Sequence, residues 1–142
     1  MQLPIQSSPL GTVPTDGIIH RLSPFSVADT VKRITEAIEG SGAKVFAVVD
    51  QDDEAENAGL SLRQTKLVIF GNPAGGTPVM QAAPLAALDL PLKILVWCDD
   101  AGTVWMTYVS ADWLARRYGL DAELGKRLAA ADALTGRISS SA

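Results

Sequence analysis

Three runs of this chain are β-rich and apolar on both of their alternating sets, and that limits the fold more than any other feature. Residues 44–50 read KVFAVVD. In 66–70, Leu67 and Ile69 point one way and Val68 and Phe70 the other. In 92–97, Leu92, Ile94 and Val96 form one set, while Leu95 and Trp97 belong to the other, which only Lys93 makes polar. An antiparallel sheet with one wet face alternates more cleanly than this. A sheet made of these strands needs cover on both faces.

The segments between them supply part of that cover. A short first strand over 18–22 is broken at Ser23-Pro24. Ser26 then caps a helix with Asp29 in its first turn, Val27, Val31, Ile34 and Ile38 share one face, and Gly40 and Gly42 end it. Residues 51–65 read as an acidic loop with a helical turn. A loop rich in Gly and Pro follows 66–70, and 79–87 make one or two helical turns limited by Pro84. Asp99, Asp100, Ala101 and Gly102 form a hairpin turn, so 104–108 return antiparallel to 92–97. Ser110 caps a helix around Trp113, Leu114 and Tyr118; Asp121 caps the next, with Leu124, Leu128 and Ala131 at helical spacing.

The expected organisation is an extended arm over 1–17, one α+β domain over 18–134 and a frayed tail over 135–142. Its antiparallel sheet carries helices on one face. A second copy of the chain is the expected cover for the other, making a homodimer.

A length of 142 residues suits a single core. The formal charge of −4 repels phosphate backbones, so no nucleic-acid partner is expected. No window holds the roughly 18 uncharged apolar residues of a membrane span, and no signal peptide is apparent. Cys98 is the single cysteine, which suits a reducing cytoplasm.

Several short motifs occur in a specific order: Phe70-Gly71-Asn72-Pro73, Gly76-Thr77, and Leu88-Asp89-Leu90-Pro91-Leu92-Lys93. Trp97, Gly102, Trp105, Tyr108 and Arg117-Tyr118-Gly119 follow them. Over residues 17–133 the chain resembles the family called domain of unknown function 302. The resemblance implies an α+β domain of order β-α-β(4)-α, similar in layout to one TATA-binding-protein repeat. It implies no established reaction. In that family the strand ending at Asp50 is often followed by His; Gln51 stands there in this chain, so no role of that imidazole carries over.

Asn72, Pro73, Gly75, Gly76 and Thr77 read as a structural turn or as a nest of N–H groups for an anion. The spacing is not that of a phosphate-binding P-loop, because no Lys follows the second Gly. Asp89 lies between leucines, where its charge needs partners; bonds to backbone N–H groups near Pro91 are the favoured role. Asp50, Asp52, Asp53, Glu54 and Glu56 match a calcium loop in charge alone, since Ala55 and Ser61 occupy its sixth and twelfth positions. A solvated acidic loop and no metal site are expected. His20 and Cys98 are each unique, so a zinc site is excluded within one chain, and a Cys–His pair would require them to meet across the sheet. Trp97, Trp105 and Tyr108 straddle the hairpin and offer a stacking surface for a flat ligand, although core or interface use is commoner. Arg116-Arg117 and Lys126-Arg127 read as a solvated basic edge.

The candidate ligand-binding residues are therefore Asn72, Gly75, Gly76, Thr77, Asp89, Trp97, Trp105 and Tyr108, with no catalytic residue and no cofactor identified. A small-ligand-binding or regulatory domain acting as a homodimer is the first reading. The alternatives are an enzyme with its pocket beside the 72–77 loop and Asp89, and a structural protein-interaction module.

Overall fold

Ser26 opens the first helix as its side chain requires, its Oγ accepting the Asp29 N–H at 3.1 Å. In the computed structural model, which describes residues 16–141, this helix is α1 (Val27–Gly40), between β1 (Ile18–Ser23) and β2 (Lys44–Asp50). The chain continues through α2 (Gln51–Asn57), β3 (Thr65–Gly71), α3 (Pro73–Ala82), a 3-10 turn (Pro84–Leu88), β4 (Leu92–Cys98) and β5 (Val104–Val109). Three short helices close it: α4 (Ala111–Tyr118), α5 (Ala122–Lys126) and α6 (Ala130–Ser139). The arm expected over 1–17 lies outside the described residues except for Asp16 and Gly17.

All four strand pairs are antiparallel, in the order β1-β5-β4-β3-β2. The class is thus the α+β arrangement that the pattern predicts. β1 and β2 are the two edges, so α1 must carry the chain from one side of the sheet to the other, and it does so across one face. That face buries Val68, Phe70, Ile94, Val96 and Met106 against Val27, Ile34 and Ile38 of α1 and Leu134 and Ile138 of α6. Arg21 ties the layers together. Its Nε donates to the Tyr108 hydroxyl at 3.2 Å and its Nη2 to Asp132 Oδ1 at 2.9 Å, while Tyr108 donates to the same carboxylate oxygen at 2.6 Å. A second cluster, Val79, Ala86, Leu114 and Leu128, joins α3, the 3-10 turn, α4 and the end of α5, with Leu92 packed against both clusters.

The opposite face keeps its contact with solvent. Leu67, Ile69 and Leu95 lie mid-sheet and are only half-buried, whereas Val68 and Ile94, their neighbours on the helix side, are 0% exposed. Leu22 and Val109, also on the open side, are exposed. Trp97 is the buried member of this face.

Three local expectations change. The acidic 51–57 segment is a full helix, capped by Asp50, whose Oδ1 accepts the Asp53 N–H. The Gly-Pro stretch after β3 is also helical. The C-terminal segment read as frayed continues as α6 to Ser139, because Thr135 and Ile138 are buried under it. Among the described residues, no helix is long and apolar enough to cross a membrane.

Candidate functional site

Pro73, Gly75, Gly76 and Pro78 are poor helix formers, yet they open α3 because Asn72 caps it. Asn72 Oδ1 accepts the Ala74 N–H at 3.0 Å, and its carbonyl accepts those of Gly75 and Gly76 at 2.9 and 2.8 Å. Proline at the first helical position lacks the donor that would have gone unpaired. The consequence for the anion nest is direct: its N–H donors are already engaged by the cap.

The same segment instead walls a pocket of about 300 Å³. Asn72, Gly75, Gly76 and Thr77 all line it, so the structure brings together the four loop residues singled out in the sequence. Phe46 from β2, Phe70 from β3, Met80 from α3 and Leu90 with Leu92 before and on β4 supply an apolar interior; Leu128 and Arg127 close the remaining side. The pocket lies where the two hydrophobic clusters meet, since Phe70 belongs to the first and Leu128 to the second. Its glycines matter sterically. A Cβ on Gly76 would meet nothing within 4 Å, so a side chain there would enter open space beside α3.

The other candidates lie elsewhere. Asp89 is outside the lining; its Oδ2 accepts the Tyr118 hydroxyl and lies 3.4 Å from Arg117 Nε. Its partners are thus side chains of α4, a correction to the backbone bonds expected near Pro91. The hydrogen bond to Asp89 raises the Tyr118 pKa. Tyr108 is buried on the helix side of the sheet, while the paired Trp97 and Trp105 are on the open side, so the three rings do not form one stacking surface. Strand parity explains this, since Trp105 and Tyr108 are three residues apart.

On the open face, Trp97 Nε1 donates to Thr107 Oγ1 at 2.9 Å, and the same oxygen is 2.9 Å from His20 Nδ1. Burial lowers the His20 pKa, and its Nε2 is buried without a partner among the described residues. Cys98 pairs with Val104 and packs with the helix-side core, on the face opposite His20. The Cys–His pair is therefore ruled out by register. Asp50, Asp52 and Asp53 do converge, but the Lys66 ammonium already bridges Asp50 and Asp52, and that contact with Lys66 lowers the Asp50 pKa. Asp99 fixes the hairpin, its carboxylate accepting the N–H groups of Ala101 and Thr103 and the indole of Trp105.

Sequence reading missed most of the pocket's walls. Phe46, Phe70, Met80 and Leu92 look like ordinary core residues, and Arg127 like a solvated one. Four separate chain segments, 43–46, 70–80, 90–92 and 127–130, assemble the cavity, so no local spacing marks it.

The family model described as "Domain of unknown function DUF302" matches residues 19–136. The chain belongs to this family. A solved DUF302 structure, an uncharacterised conserved protein from Bacillus stearothermophilus, has the same fold, with a TM-score of 0.72 at 17% identity over 86% of this chain and 94% of that one. Similar curated proteins are named fluoride-specific ion channel FluC 1, from Brucella suis biovar 1 (strain 1330) and Brucella abortus biovar 1 (strain 9-941). Each is 40% identical over 112 residues, which is 79% of this chain and 44% or 42% of the relative. The chain thus spans less than half the length of the curated relatives it matches.

Proposed function

We propose that this DUF302 chain is a small-ligand-binding domain whose site is the pocket between α3, the β3–β4 end of the sheet and the turn from α5 into α6. The observation that carries this reading is the cavity itself. An apolar hollow of about 300 Å³, bordered by two glycines in a helix, is space that close packing would normally fill, and it falls at the small end of the range for ligand sites. Native mass spectrometry of protein purified without added ligand tests it, with Gly76→Leu as the filled-pocket control. A retained mass that the variant lacks is the expected result; a wild type that is empty and takes up no apolar probe would contradict it.

Homodimerisation through the open sheet face completes the proposal. Leu67, Ile69, Leu95, Trp105 and Leu22 offer apolar surface there, and in its strands Lys44 and Lys93 are the charged residues of that face. Two copies can therefore stack without burying many like charges. A patch of five strands spans about 24 by 20 Å, so a pair buries on the order of 1,000 Å², near the lower limit for a specific interface.

The Brucella relatives support a reading of context. More than half of each lies outside the match, and a channel must cross a membrane, which no described helix of this chain can do. We infer that the matched segment is an accessory domain carried beside the membrane part, and that this chain serves a fluoride channel in the same way. Cells lacking the chain should then grow more poorly in fluoride; unchanged tolerance would remove the link.

A further inference from the structure

We propose that the pocket takes a small organic acid: an apolar body of roughly eight to ten heavy atoms, judged against about 30 Å³ per water-sized group, carrying one carboxylate that sits at Arg127. This rests on the reading of the cavity as a ligand site and adds the ligand's chemistry.

Charge around the cavity decides the class. Arg127 is the one charged residue of the lining, and it has no carboxylate within 4 Å among the described residues. Two more cations touch lining residues but lie on the open face of the sheet by register and are not part of the lining. The Lys44 ammonium is 5.3 Å from the ring centroid of Phe46, a lining residue, and Lys93 Nζ donates at 2.7 Å to the carbonyl of Pro91, another. Neither has an acidic partner among the described residues. No carboxylate lines the pocket.

The remaining polar groups narrow the choice further. The α3 N–H donors are engaged by the helix cap, with Asn72 Oδ1 as an acceptor, which leaves the guanidinium, the Asn72 amide N–H groups and the Thr77 hydroxyl as side-chain donors of the lining. A planar guanidinium matches a carboxylate through two parallel N–H···O bonds. An amine would meet only like charge, and a neutral alcohol would use one donor. The ligand's body must be apolar, because Phe46, Phe70, Met80, Leu90 and Leu92 offer it no polar side chain.

Calorimetric titration of the full chain with octanoate, 1-octanol and octylamine tests the assignment. Octanoate should bind tightest and octylamine weakest. Arg127 is exposed, so water screens its contribution; Arg127→Gln should weaken octanoate roughly fivefold and leave octanol unchanged, with Arg127→Lys between them. Equal binding of octanoate and octanol by the wild type, or an Arg127→Gln variant that binds octanoate undiminished, overturns the acid assignment. Gly76→Leu, confirmed to melt cooperatively, separates the two readings. If it abolishes octanol and octanoate binding alike while the wild type does not distinguish them, the pocket stands and the acid falls. If the wild type binds none of the three at millimolar concentration, both fall.

Discussion

Replacing Gly76 by alanine should make the protein more stable and worse at holding a ligand. Gly76 is the fourth residue of α3, has an ordinary negative-φ helical backbone, and an added Cβ would meet nothing within 4 Å. Alanine there loses less backbone entropy on folding, an advantage of about 0.5–1 kcal/mol. For a chain of 142 residues that corresponds to a Tm rise of about 2–4 °C. Gly75 is one residue nearer the helix start, and its Cβ would touch only Asn72 Cβ at 4.0 Å, so Gly75→Ala should gain at the lower end. Two methyl groups placed in the pocket, each close to a water in size, would remove about a fifth of the 300 Å³. Differential scanning calorimetry with octanol titration checks both halves. A fall in Tm would refute the described geometry of α3, and a raised Tm with unchanged affinity would refute the idea that the glycines keep space for a ligand.

Other consequences follow from single contacts. Burial lowers the His20 pKa below 6.5, so the unfolded chain binds the proton more readily; stability is complete above pH 6.5 and declines as pH falls through the folded value, a slope that His20→Gln should abolish in pH-dependent melts. Tyr108→Phe removes the 2.6 Å bond to Asp132 and should cost about 1–2 kcal/mol in urea unfolding; a neutral result would mean the bond is not formed in solution. Gly17→Ala should be severely destabilising, because φ is +76° and its Cβ would lie 2.3 Å from Trp113 Cγ; a wild-type Tm would show that the turn can move away. Leu95→Lys puts a charge in the middle of the open face and should shift the proposed homodimer toward monomers in sedimentation; a wild type that is monomeric at every concentration would contradict the dimer.

The sheet and α1 were legible because their signals are local. Val27, Ile34 and Ile38 repeat at helical spacing and are buried together, and the doubly apolar strands identified a sheet whose second face is half-buried and not sealed by a helix. α3 was hidden by its own composition: two prolines and two glycines argue for a loop, and the helix forms because Asn72 satisfies its first turn and Val79 is buried beneath it. Likewise, nothing in GRISSSA announces that Ile138 reaches the core. At the site, residues adjacent in sequence were found and distant ones were not. Asn72, Gly75, Gly76 and Thr77 stand out as a motif, whereas Phe46 and Arg127 meet them only after the chain has folded.

Methyl NMR tests the pocket most directly, because Met80 lines it while Met106 is 0% exposed within the helix-side core. On titration with 1-octanol or octanoate, the Met80 resonance should shift and saturate while that of Met106 stays nearly fixed, and Gly76→Leu should remove the response. A Met80 signal unmoved at millimolar probe, or one that shifts equally in Gly76→Leu, would contradict the account.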